Sequence, residues 1–142
     1  MEAKELMIGD KVMVKVLSQI PNTYVLHTWT ANDYSRDIQV KPIPLTPEIL
    51  EKNGFSPETF LTAEWGRKVY FKEFPGCVVE PADSGKYIFE TTKYWSETYG
   101  DGSPKDWGTM YESRIYNLQY VHTLQHALRL VGLSEIADNF KI

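Results

Sequence analysis

Cysteine is the residue that this sequence most nearly lacks. The 142 residues contain one, Cys77, so no disulfide can form within the chain. Small secreted domains commonly depend on disulfides, and we therefore expect a reducing compartment, the cytoplasm. Cys77 follows Gly76 and opens an apolar run, which predicts a buried, unreactive thiol. A nucleophilic cysteine would need a histidine beside it.

Long apolar runs and clusters of positive charge are missing as well. No run is long enough to cross a bilayer, and the start, Met1–Glu5, is charged, so we expect neither a membrane span nor a secretory signal. Lys and Arg total 15 against 19 Asp and Glu, a formal net charge of −4. Nucleic acids and anionic membranes attract clustered basic residues. Neither is therefore an expected partner.

Several sequence motifs of catalysis and cofactor binding are also absent. The chain has no glycine motif that would cradle a phosphate, no Gly-x-Ser-x-Gly and no calcium-loop spacing. We predict no cofactor, and the sequence makes an enzyme less expected than a binding protein.

Strand patterns occupy most of the chain, and aromatic residues, which favour strands, are 13% of it. Short alternating or β-branched runs separated by Pro, Gly, Asn and Asp predict strands at 11–17, 24–29, 36–40, 67–72, 77–80, 86–92 and 109–118. Such closely spaced turns favour a meander of antiparallel strands over βαβ units. The first strands could also close into a small SH3-like barrel.

Helical periodicity is clearest at Tyr120–Val131. Apolar residues recur there at spacings of three and four on one face, namely Val121, Leu124, Leu128 and Val131, extended by Tyr120 and Ala127. The spacing assigns His122, His126 and Arg129 to the opposite, polar face. Gly132 follows, where a left-handed residue is expected to end the helix.

Two shorter segments have the punctuation of helices. At Thr46–Asn53 a hydroxyl cap, Pro47 and Glu48 begin the segment and Gly54 ends it. Ser56–Leu61 repeats the same order of cap, Pro and Glu, which predicts a second helical turn. A last turn is expected within Leu133–Phe140.

These elements predict one α+β domain over residues 1–142. An antiparallel meander or small barrel carries a short inserted helix, and the amphipathic C-terminal helix packs on the sheet.

Three phrases of the sequence carry a resemblance. They are Leu-Met-Ile-Gly-Asp at 6–10, Ile-Pro-Leu-Thr-Pro-Glu-Ile-Leu-Glu-Lys-Asn-Gly-Phe at 43–55, and Tyr-Val-His-Thr-Leu-Gln-His-Ala-Leu-Arg-Leu at 120–130. Together they resemble a family of small uncharacterised proteins from prophages and mobile elements of gut anaerobes. The resemblance implies a bacterial or phage intracellular setting. It implies no activity, and it assigns no functional residue.

Two groups of residues are candidate sites. His122 and His126, at positions i and i+4, could share a metal such as zinc, and the spacing is that of His-Glu-x-x-His proteases. Thr123 stands where the catalytic Glu would be, and spacing identifies no third ligand. The alternative is a polar helix face.

The second candidate is aromatic. Trp29, Tyr34, Trp65 and Tyr70 could form a ligand-binding face, or they could be core and strand residues.

The sequence therefore favours a non-enzymatic accessory protein that binds another protein in a phage or mobile-element setting. A metal-dependent hydrolase using His122 and His126 is one alternative, and a nucleic-acid-binding protein is the other. The sequence specifies neither the partner nor the oligomeric state.

Overall fold

The computed structural model describes residues 3–17, 23–35, 37–61, 66–72, 76–94 and 109–142. In chain order the regular elements are β1 (Lys11–Val16), β2 (Val25–Thr28), β3 (Ile38–Lys41), α1 (Pro47–Lys52), β4 (Ser56–Leu61), β5 (Gly66–Lys72), β6 (Cys77–Pro81), β7 (Tyr87–Tyr94), β8 (Thr109–Leu118), α2 (Val121–Leu130) and α3 (Ser134–Asp138). Short 3-10 turns lie at Ala3–Glu5, Ala31–Ser35 and Asp83–Gly85.

The strands form two antiparallel sheets. One has three strands in the order β2-β1-β3, and the other is a five-strand meander in the order β4-β5-β6-β7-β8. The predicted α+β class and the antiparallel meander are confirmed. The described strands form open sheets, so the barrel alternative does not describe them. None of the described helices is long and apolar enough to cross a membrane.

The chain divides into two compact units. The first unit comprises Met1–Thr46 and Gln119–Ile142, and the second comprises Pro47–Leu118. The first thus contains the three-stranded sheet with α2 and α3, and the second contains α1 with the meander. The single domain over 1–142 stays a prediction.

The second unit corrects one prediction and confirms another. The helix predicted at Thr46–Asn53 is present as α1, and Gly54, which ends it, has a φ of +83°. Ser56–Leu61 is a strand, not a helical turn, because all six of its residues pair with β5. The local helix punctuation is overridden by long-range pairing, and Pro57 is tolerated because β4 lies at the edge of its sheet.

The core of the first unit contains residues of β1 and β3 and of the segments next to β1 and β2. Val12 and Val14 of β1 pack with Leu6 and Trp29, and the partly buried Ile38 and Val40 of β3 complete the cluster. In α2 the predicted apolar residues Val121, Leu124, Ala127 and Leu128 are buried. The expected end of the helix is also present, since Gly132 has a φ of +85° and Leu133 N–H donates to the Leu128 carbonyl at 2.8 Å.

The polar face predicted for α2 is wrong for His122, which is only 6% exposed. Gln125, to which the sequence analysis assigned no role, is completely buried. The helix contacts both β1 and α3, so its buried arc is wider than a single apolar stripe. Periodicity of apolar residues cannot show a second contact that polar side chains make.

Gln125 accounts for that second contact. Beyond Lys41, β3 no longer pairs with β1, which leaves the start of β1 without a strand partner on that side. The Gln125 side chain takes that place: Lys11 N–H donates to Oε1 at 2.8 Å, and Nε2 donates to the Gly9 carbonyl at 3.0 Å. Nε2 also donates to the Ala137 carbonyl at 2.9 Å. One side-chain amide therefore joins β1, α2 and α3.

We predict that Gln125→Leu destabilises the first unit, because it removes the hydrogen-bond partner of the Lys11 amide and of the Gly9 carbonyl and one of the hydrogen bonds to the Ala137 carbonyl. The free energy of unfolding should fall by about 2–4 kcal/mol, measured by chemical denaturation. Gln119→Leu is the control, since Gln119 is exposed. Equal stability of the two variants would contradict the assignment.

Candidate functional site

A buried carboxylate lies where the sequence predicted no site. Asp10 ends the turn before β1 and is completely buried. Its Oδ2 accepts a hydrogen bond from the Met7 amide at 2.8 Å, and its own amide donates to the Met7 carbonyl at 3.1 Å. The turn thereby fixes the carboxylate toward α2.

Side chains of α2 and one residue at the end of α3 complete this group, which we call the Asp10 cluster: Asp10, His122, His126, Arg129 and Asp138. His126 Nε2 lies 2.5 Å from Asp10 Oδ2, and Arg129 Nη1 donates to Oδ1 at 2.5 Å. Arg129 Nη2 reaches Asp138 Oδ1 at 3.3 Å. Arg129 therefore bridges a buried and an exposed carboxylate.

The environment of Asp10 stabilises its charged form. Burial alone would raise the pKa of Asp10, but hydrogen bonds from His126, the Met7 amide and Arg129, together with the charge of His126, outweigh it. The net effect lowers the pKa below the ordinary value of 3.8. Asp10 is therefore an anion at neutral pH.

His122 has the opposite environment. Its ring stacks on Tyr120 with centroids 5.7 Å apart, and its Nδ1 is buried and has no hydrogen-bond partner within the part of the chain that the structure describes. Burial lowers the pKa of His122 below 6.5, and the effects of Asp10 and Glu5, which raise it, do not offset burial and His126. The ring is therefore neutral at pH 7.

Gly9 is required at the edge of the cluster. Its φ is +94°, and a Cβ placed there would lie 2.8 Å from Arg129 Nη2 and 3.0 Å from Asp138 Oδ1. The backbone conformation disfavours any residue other than glycine at this position, and a Cβ there would also displace the end of the Arg129 side chain.

The predicted metal pair is brought together, but its surroundings favour an ion pair. The rings of His122 and His126 are edge to face with centroids 5.6 Å apart. Within the described residues no group of three His, Cys, Asp or Glu side chains could hold a metal ion. Arg129 also places a guanidinium on Asp10, the carboxylate that His126 contacts. The hydrolase assignment stays a prediction.

The four aromatic candidates are not assembled as one described surface. Trp29 is completely buried, and Tyr34 of the same unit packs on it edge to face at 5.5 Å and donates its hydroxyl to the Leu6 carbonyl. Tyr70 belongs to β5 of the second unit and is partly buried. Trp65 lies outside the described residues. Within the first pair, Tyr34 alone offers surface to a ligand.

His27 and Cys77 have surroundings that indicate a role in the fold. His27 Nε2 lies 2.6 Å from the buried Asp33, which also accepts hydrogen bonds from the amide and hydroxyl of Thr30. This arrangement holds the turn after β2. Cys77 is completely buried, and burial raises the pKa of its thiol to about 12, so the predicted inert cysteine is present.

A surface that the sequence analysis missed lies on β2. Tyr24, Val25 and Leu26 are consecutive and exposed, Val25 by 53% and Leu26 by 51%. Leu26 pairs with Met13, and Thr28 with Lys11, so Tyr24, Leu26 and Thr28 share the face of the sheet opposite Val12 and Val14. Lys15 and Lys41 lie on that face too, with their Nζ atoms 5.1 and 5.7 Å from the centre of the Tyr24 ring. Val25 pairs with Val14 and lies on the other face.

The sequence contains a signal for this surface. Lys11, Met13 and Lys15 alternate with Val12, Val14 and Val16, so two of the three outward positions of β1 are basic. We call the set Lys11, Met13, Lys15, Tyr24, Leu26, Thr28 and Lys41 the β2 surface.

No protein-family model, curated protein or solved structure matches the chain. The comparisons therefore assign no function to it.

We predict that Asp10→Asn destabilises the protein by about 3 kcal/mol, because removal of one partner leaves the largely buried Arg129 without its charge partner. Asp138→Asn, at the exposed end of the same bridge, should cost less than about 1 kcal/mol. Thermal and chemical denaturation of the two variants measure the difference. Equal losses would show that the buried carboxylate is not the centre of the cluster.

The two pKa shifts predict acid destabilisation in two windows. As the pH falls below 6.5, the unfolded chain protonates His122 before the folded protein does, so stability decreases by up to about 1.4 kcal/mol per pH unit. Below pH 3.8 Asp10 adds a second decrease, because its folded pKa is also the lower one. His122→Phe should flatten the first window in denaturation curves between pH 7.5 and 5. An unchanged slope would contradict the neutral, buried state of His122.

Proposed function

We propose that this chain is a non-enzymatic protein-binding module, and that the β2 surface is where it binds its partner. The observation that carries the proposal is the exposure of Tyr24 and Leu26 side by side on one face of the sheet, with three lysines on the same face. Burying apolar surface drives protein association, and each buried methylene contributes about 0.8 kcal/mol.

The positive charge of the same surface supports a protein with acidic character as the partner. Three lysines lie on it in a chain whose net charge is −4. Among the described residues, no carboxylate forms an ion pair with Lys11, Lys15 or Lys41. Complementary charge raises association rates and orients the partner.

Catalysis is not part of this proposal because the reactive groups of the described residues serve the fold. Asp10 and His126 bond each other, His122 is neutral and buried, and the Cys77 thiol is protonated. The setting we propose is the cytoplasm of a bacterium that carries a prophage or mobile element, as the resemblance implies.

Co-purification from such a host tests the function. We expect a protein that is recovered with the wild-type chain and lost by at least about tenfold with Leu26→Glu, a change of about 1.4 kcal/mol in binding free energy. Leu130→Glu is the matched control, since Leu130 is 78% exposed at the end of α2 and should have no effect.

Two results would contradict the function. One is equal recovery of every protein by the two variants. The other is recovery of nucleic acid alone, lost at high salt, which would favour the nucleic-acid alternative.

A further inference from the structure

The outer edge of β2 has no strand partner among the described residues. The sheet order is β2-β1-β3, so one side of β2 pairs with β1 and the other is open. Trp29 N–H donates to the Asp10 carbonyl at 2.8 Å, which sets the alternation of the ladder. Val25 and His27 then direct their backbone groups to β1, and Leu26 and Thr28 direct theirs outward.

The sequence of β2 does not protect this edge. Natural edge strands commonly carry Pro, Lys or a bulge that prevents pairing with another chain. Residues 24–28 read Tyr-Val-Leu-His-Thr and contain no Pro, Lys, Asp or Glu. By contrast, the edge strand β4 contains Pro57, and β3 is followed at once by Pro42. The open edge is thus both apolar and able to hydrogen-bond.

Positive charge lies at both ends of the edge. Lys11 Nζ donates to Thr28 Oγ1 at 2.5 Å, which places one ammonium over the end of β2. The ammonium groups of Lys15 and Lys41 lie at Tyr24, four residues earlier, which is roughly 13 Å along a strand. Exposed Leu26 is midway. One acidic residue, Asp37, lies on the same face beyond Gln39, opposite Leu17.

We infer that the edge of β2 binds an acidic, extended peptide segment of the partner as a fourth strand of the sheet. This inference rests on the proposed function and specifies the partner's chemistry. An added strand lies about 4.8 Å from β2, and its alternate side chains share the outer face of the sheet. Carboxylates opposite Thr28 and Tyr24 reach the lysines, and an apolar side chain between them covers Leu26.

The predicted recognition pattern is therefore acidic-x-apolar-x-acidic. The two intervening side chains point to the other face, beside Val25 and His27. A β-branched residue suits the position beside Val25, which is half-exposed and apolar. Backbone hydrogen bonds to Leu26 and Thr28 supply sequence-independent affinity, and the charge pattern supplies selectivity.

Charge disfavours a second copy of this chain as the occupant. If two β2 strands paired about Leu26 in antiparallel orientation, the lysine at Thr28 of one copy would approach the lysines at Tyr24 of the other. Like charges in such positions destabilise an interface. An acidic strand has the opposite effect, and the same reasoning excludes a basic peptide.

Selection from a displayed library of random nine-residue peptides tests the inference with the full chain as bait. The wild-type chain should enrich peptides with acidic-x-apolar-x-acidic spacing. Lys11→Glu/Lys15→Glu should enrich a basic residue opposite Thr28 and lose the acidic preference opposite Tyr24, where Lys41 remains. Lys52→Glu/Lys68→Glu, which changes net charge equally at exposed sites of the second unit, should enrich the wild-type pattern.

N-methylation of a selected synthetic peptide identifies strand pairing. Methyl groups at alternate backbone nitrogens should weaken binding at least tenfold, and methyl groups at the intervening nitrogens should change it less than twofold. Binding that is equally sensitive at every position, or a library that enriches no acidic spacing, would overturn the inference. Concentration-dependent self-association abolished by Leu26→Glu would also overturn it, in favour of a second copy.

The two proposals can fail separately. A host protein lost with Leu26→Glu, together with a library that enriches no strand-like peptide, leaves the protein-binding function intact and removes strand addition. In the reverse case, the library enriches the predicted peptides but Leu26→Glu loses no host protein. The edge of β2 then binds peptides, and the proposed function is wrong.

Discussion

The first unit depends on one buried side-chain amide. At Gly9 and Lys11 the backbone groups on the β3 side of β1 face the interior, where water cannot satisfy them. Gln125 bonds both, much as a residue of a neighbouring parallel strand would, and also bonds Ala137. A side-chain amide can accept through its oxygen while both of its N–H groups donate. The position and rotation of α2 follow from that fit.

The Asp10 cluster is a consequence of the same constraint. With Gln125 fixed against β1, His126 and Arg129 lie one and four residues further along α2 and meet the carboxylate of Asp10. A buried charge without partners would be costly, and the contacts of Asp10 with His126, Arg129 and the Met7 amide offset that cost. These titratable residues stabilise the turn that begins β1.

The three-stranded sheet leaves β2 open, and the apolar edge and flanking lysines of that strand are the features that suit a partner.

Much of the fold could be predicted from local patterns. The apolar spacing of α2, the cap and glycine of α1, and the alternation of β1 each reflect a physical preference within a few residues, and all three elements are present. Ser56–Leu61 was missed because its helix punctuation is local and its pairing with β5 is not. The burial of His122 was missed, and Gln125 was not singled out, because the burial of a polar side chain on a helix is not evident unless its partner is known. For Gln125 that partner, Lys11, lies 114 residues away in the chain.

The candidate site was less predictable for the same reason. The i, i+4 spacing of the histidines suggested a metal, but Asp10 and Arg129 decide what surrounds them, and neither is identifiable from spacing. The lysine alternation of β1 was visible in the sequence. Its meaning depended on which strands flank β1 and on the exposure of Leu26, which only the sheet order provides.

Native-state amide hydrogen exchange of the free protein tests this account most directly. The Lys11 amide has a side chain rather than a strand as its acceptor, and we expect it to exchange as slowly as the Val12 amide. The Leu26 and Thr28 amides should exchange rapidly. Fast exchange at Lys11, or strong protection at Leu26 and Thr28, would contradict a sheet that Gln125 fixes at one side and that is open at the other.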